Sequence, residues 1–86
     1  MGELANWQCH KIVKAGKIKI LPMEKDGKPI GPVVVEDVNG VNAAVAVDDN
    51  IFARGWPQLG DYLVIYDDGY KSWSPAKAFK EGYTRL

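Results

Sequence analysis

The 86-residue sequence has one cysteine, one histidine, no net charge and no long apolar run. Each shortage excludes a class of protein. Cys9 alone forms no internal disulfide and no Cys-only metal site, which fits a reducing cytosol. No apolar run approaches the roughly 20 residues of a membrane-spanning helix. Met1-Gly2-Glu3-Leu4-Ala5-Asn6 lacks the basic start and apolar stretch of a secretory signal. Eleven basic residues against eleven acidic ones argue against a nucleic-acid binder that works by bulk charge. A chain this short holds one small domain rather than two, with residues 1–9 read as a flexible start.

What is present is apolar content, 47% of the residues, and aromatics, 10%. No covalent staple supports the fold, so most of these aromatics are expected in the core, and self-association is a ready source of further burial. The zero charge also hides a pattern. Residues 1–35 carry a net +3, residues 36–70 a net −6, and residues 71–86 a net +3.

Residues 10–21 read as a strand, bent or bulged near Ala15-Gly16, whose second half alternates Ile18 and Ile20 against Lys17 and Lys19. Residues 21–32, with three prolines and Asp26-Gly27, read as a loop. Residues 33–38, Asn39-Gly40 and residues 41–47 read as a hairpin on a two-residue turn. That register sets Val38 opposite Val41 and Val34 opposite Val45, with Val34, Val38, Val41, Val45 and Val47 as the core face. The other face, Val33, Val35, Ala44 and Ala46, is unusually apolar and asks for a cover, a helix or another chain. Residues 48–55 read as a short helix started by Asp48 or Asp49 and ended by Gly55. Residues 61–67, Asp68-Gly69 and residues 70–73 read as a second hairpin, with Val64 opposite Trp73 and Tyr66 opposite Lys71. Ser74 as N-cap, Pro75 at the first turn and Gly82 after the end predict a C-terminal helix over about residues 75–81, packed through Phe79 and Tyr83. The expected fold is therefore α+β: a small twisted antiparallel sheet or open barrel of about five strands, with two short helices.

Residues able to carry chemistry are few. Cys9 and His10, adjacent on a strand, point to opposite faces and form no nucleophile–base pair. The Asp48-Asp49 and Asp67-Asp68 pairs lack calcium-loop spacing and have turn and cap roles to fill. The glycines sit one per turn and cradle no phosphate. No catalytic, cofactor or metal site is expected. Trp56, Tyr70, Lys71 and Trp73 remain as a candidate interaction surface. Exposed, they would suit protein contacts or, as the alternative, stacking of single-stranded nucleic acid beside lysines.

From Gly60 the chain reads Gly-Asp-Tyr-Leu-Val-Ile-Tyr-Asp-Asp-Gly-Tyr-Lys-Ser-Trp-Ser-Pro-Ala-Lys-Ala-Phe-Lys-Glu-Gly-Tyr-Thr. This stretch resembles the C-terminal segment of small uncharacterised proteins encoded by tailed phages and prophages, and residues 10–18 resemble their N-terminal run. The resemblance implies a phage-derived gene and residence in the bacterial cytoplasm or the virion, and it brings no activity with it. Together with the residues, it gives the expectation of a non-enzymatic interaction, accessory or assembly module, with an unknown protein partner or a second copy and no membrane.

Overall fold

The computed structural model describes residues 3–8 and 11–86. Among these the chain forms β1 (Ala5–Gln8), β2 (Ile12–Ile20), β3 (Met23–Lys25), β4 (Lys28–Ile30), β5 (Val33–Glu36), β6 (Asn42–Val45), β7 (Tyr62–Ile65), β8 (Lys71–Ser74), α1 (Ala76–Gly82) and β9 (Thr84–Arg85). It is a small, mostly-strand protein with a curled antiparallel sheet and one short C-terminal helix. The sheet runs β6-β5-β2-β1-β9, with β7 joined to β2 and β8 to β7. Residues 5–8, for which the sequence signalled no element, supply β1 between β2 and β9.

Strand β2 organises the sheet. Its first half pairs with β1 and its middle with β7, Lys14 lying opposite Ile65 and Lys17 opposite Tyr62. Its second half pairs with β5, and the register shifts between Ile18 and Ile20. The break expected near Gly16 is where β5 comes closest. A Cβ on Gly16 would stand 2.7 Å from the Glu36 carbonyl oxygen and 3.1 Å from Val35 Cβ. The same shift leaves Ile18 buried while Ile20 is exposed.

The curl buries two apolar groups, one on each face. Leu4, Ile18, Val33, Val35, Val45, Phe52 and Leu63 fill the concave side. Val13, Ala15, Tyr62, Val64 and Phe79 form the second group, under α1. Phe79 carries the helix onto the sheet: it stacks on Tyr62 at 4.4 Å and on Tyr83 at 4.6 Å, and meets Trp7 edge-on at 4.8 Å. Leu63 and Val64, consecutive on β7, are buried on opposite faces for this reason.

Both long hairpins form where expected, but each is one residue out of the expected register. Glu36 pairs with Asn42 and Val33 with Val45; Leu63 pairs with Trp73 and Ile65 with Lys71. The turns have three residues rather than two. Asp37 N–H donates to Val41 O, and Gly40 N–H to Asp37 O. Only Gly40 among the loop residues is left-handed (φ 78°), which marks a type I turn with a glycine bulge. Asp37, buried at 9% exposure, holds this turn by accepting the N–H groups of Asn39 and Val41, each at 2.9 Å. Tyr66 and Tyr70 repeat the pattern, with Gly69 at φ 88°. Because side chains alternate, a slip of one exchanges the faces of β5, bringing Val33 and Val35 inside in place of Val34, while Val45 of β6 stays inside as expected. Val33, Val35, Ala43 and Val45 are the core side, and Val38 and Val41 are exposed. The two-residue turn occurs instead at Asp26 (φ 54°) and Gly27 (φ 79°), so residues 23–30 form the β3–β4 hairpin rather than a loop.

The expected helix over residues 48–55 is absent. This segment makes successive short turns, Ile51 to Asp48, Ala53 to Asn50 and Gly55 to Phe52, and never the i→i+4 ladder. It serves to insert Phe52 and Trp56 into the concave core. The C-terminal helix starts one residue later than expected. Pro75 is extended (ψ 142°) and is the N-cap, while Ser74 ends β8. The first helical N–H, of Ala76, is accepted by Asp61 Oδ1 at 3.0 Å, and Asp61 Oδ2 accepts Gln58 N–H at 2.8 Å. A carboxylate from a distant loop thus replaces the local cap and favours the positive end of the helix.

Two stability predictions follow from these contacts. Gly16→Ala forces β5 away from β2 and lowers unfolding free energy by about 1–3 kcal/mol in urea titrations; Gly82→Ala, with nothing near its added methyl, leaves it unchanged or slightly raised. Asp61→Ala removes acceptors from both the loop and the helix start and costs about 1–2 kcal/mol, with a loss of helical ellipticity.

Candidate interaction cleft

The expected surface residues do not share one exposed face. Trp56 and Trp73 are half-buried against the concave core, Trp56 lying 4.6 Å from the Phe52 ring. Tyr70 is the exposed ring, at 65%, stacked on Tyr66 at 5.9 Å. Every aromatic except Tyr70 belongs to or packs against one of the two apolar groups. A continuous stacking platform of Trp56, Tyr70 and Trp73 is therefore not formed. Cys9 and His10 lie outside the described residues.

Lys71 is placed differently. On β8 it shares a face with Trp73 and lies opposite Ile65, which in turn lies opposite Lys14 of β2. Residues directly opposite on antiparallel strands point the same way. Lys14, Ile65 and Lys71 therefore form a cross-strand row, the two lysine backbones about 10 Å apart by strand spacing. The row borders a cleft of about 300 Å³ between the end of β6 and the β7–β8 hairpin, lined by Glu3, Leu4, Lys14, Val45, Ala46, Ile65 and Lys71. A larger depression, about 670 Å³, adjoins it through Lys14 and Ile65 and reaches Tyr66 and Gly69 at the hairpin turn.

The cleft has an apolar floor, Leu4, Val45, Ala46 and Ile65, and a rim of two ammonium groups and one carboxylate. Among the described residues the ion pair is elsewhere, Lys19 to Glu36 at 3.6 Å. Lys14 and Lys71 thus face solvent over apolar surface without a partner charge within ion-pair distance. Ammonium groups beside an apolar floor are chemically complementary to an apolar group flanked by a carboxylate. No local sequence signal marks Lys14, since only the β2–β7 register brings it beside Lys71.

A second cleft, about 180 Å³, lies on the helix side among Trp7, Lys17, Glu36, Asp37, Tyr62 and Arg85. Here burial pushes the Tyr62 phenol above its ordinary pKa of 10.0; the negative charge of Glu36 adds to the rise and Arg85 opposes it. Among the described residues no group of three or more His, Cys, Asp or Glu side chains is placed to hold a metal ion. None of the described helices is long and apolar enough to cross a membrane. Comparison with protein-family models, curated proteins and solved structures returns no match.

Tyr62 gives a spectroscopic check on this geometry. In an absorbance titration of phenolate formation, Tyr62→Phe removes a component that ionises above pH 10.0. Since the fold disfavours the phenolate, the stability contributed by neutral Tyr62 is complete below pH 10.0 and declines as pH rises from there toward the higher folded value.

Proposed function

We propose that this chain is a non-enzymatic protein-interaction module, an accessory or assembly protein of phage or prophage origin. The observation that carries the reading is the cleft beside β8, where Lys14 and Lys71 stand over an apolar floor with no ion-pair partner among the described residues. A peptide segment that places an apolar side chain between the lysines and a carboxylate against them fits this chemistry. The phage origin rests on the resemblance of residues 60–84, and residence in a bacterial cytoplasm or virion goes with it. Use of almost all the aromatics in the two apolar groups also supports a contact surface over a stacking platform.

Selection from a random-peptide library against the purified protein tests this. Enriched peptides are expected to combine an apolar residue with Asp or Glu, and Lys14→Glu with Lys71→Glu is expected to weaken their binding about tenfold or more. Peptides without that composition, or binding indifferent to both charge reversals, would overturn the cleft as the site. Salt-sensitive quenching of tryptophan fluorescence by oligo-dT, with no peptide enriched, would replace the reading with single-strand nucleic-acid binding.

A further inference from the structure

The free edges of the main sheet and of the separate two-stranded β3–β4 sheet are not equally protected. β3 and β4 carry Glu24, Lys25, Lys28 and Pro29; β9 carries Arg85. β8 carries Lys71, and Arg54 reaches it with Nη2 3.4 Å from Ser72 Oγ. Charges and prolines at edges are the usual guard against pairing with another chain. β6 has neither: Asn42–Val45 and the residues flanking it, Val41, Ala46 and Val47, are uncharged and free of proline.

The outward hydrogen-bonding groups of β6 follow from its register. Asp37 N–H bonds Val41 O and Val41 N–H bonds Asp37 Oδ1, so by alternation residues 43 and 45 exchange backbone bonds with β5 and residues 42 and 44 direct theirs away. β6 pairs with β5 and with no other strand among the described residues. The side chains of Asn42 and Ala44 are exposed and small, and Val41 beside them is 59% exposed.

We propose that β6 is a self-pairing edge, on which a second copy of this chain adds its own β6 antiparallel across a two-fold axis. Asn42 of one copy then lies opposite Ala44 of the other, and the relation is reciprocal. The ends are complementary in charge. The antiparallel arrangement brings the Asp48-Asp49 end of one copy to the Val38–Gly40 turn of the other, where the Arg85 guanidinium lies 3.5 Å from Val38 O. An uncharged strand leaves no like charges opposed along the seam. The pair does not depend on what the Lys14–Lys71 cleft holds: Val45 and Ala46 at the end of β6 line that cleft, whereas the seam uses the outward backbone groups of Asn42 and Ala44.

Sedimentation equilibrium from about 10 μM to about 1 mM tests the pairing, since a short strand seam gives a weak dimer. The wild type is expected to shift from monomer toward dimer, with slowed amide exchange at Asn42 and Ala44. Ala44→Lys places a charge on the exposed side of the seam and is expected to raise the dimer Kd about tenfold or more with unchanged thermal unfolding. Ala44→Pro removes an N–H that β5 does not use and is expected to do the same. A monomer at every concentration, or a dimer as tight in Ala44→Lys as in wild type, overturns the proposal. Peptide binding retained by Ala44→Lys keeps the two readings separate, because Ala44 itself does not line the cleft.

Discussion

The close crossing of β2 and β5 at Gly16 is the constraint on which the rest of the structure depends. With no Cβ at that point, the Glu36 carbonyl and Val35 side chain come to the β2 backbone at distances that leave no room for a methyl group. The register shift that follows curls the sheet. One long strand can then serve β1, β7 and β5 in turn. The curl makes a concave core from Ile18, Val33, Val35, Val45 and Leu63 and leaves the opposite face of β2 and β7 needing a cover. Phe79 of the short helix, with Trp7 and Tyr83, supplies that cover.

The helix itself is weak by local criteria. It has seven residues, no acidic residue in its first turn and no side-chain cap of its own. It forms because Asp61 holds its first N–H and Phe79 is fully buried. The same economy runs through the aromatics, which hold the layers together rather than lining a surface. What the curl leaves open is the cleft by Lys14 and Lys71 and the uncharged edge of β6. The proposed contacts with other chains therefore fall on backbone edges and lysines, not on exposed rings.

The positions of the β5–β6 and β7–β8 hairpins are legible in the sequence; their registers are not. Asn39-Gly40 suggested a two-residue turn, yet Asp37-Val38-Asn39-Gly40 also has the Asp-first, Gly-fourth pattern of a type I turn. Asp37 decides between them by accepting two backbone N–H groups. Asp26-Gly27, whose two residues do adopt positive φ, was obscured by the neighbouring prolines, although Pro29 and Pro22 both tolerate an extended chain. Residues 48–55 had the cap and stop signals of a helix. Packing Phe52 and Trp56 against the concave core won over that weak local preference. Of the cleft, Lys71 was visible as a residue beside aromatics, while Lys14 had no signal, being 57 positions away in the chain.

The sequence by itself determined the kind of fold: antiparallel strands punctuated by Asx-Gly turns, a glycine where two strands approach, and a C-terminal helix carried by Phe79. These depend on alternation and turn chemistry, which act over a few residues. Only the tertiary structure decided which valines face the core, which lysines stand together, and which strand edge is left bare. Faces exchange with a single residue of register, and register is settled by the turn's hydrogen bonds and the curl of the whole sheet. Those are properties of the assembled strands, and no short stretch of the chain contains them.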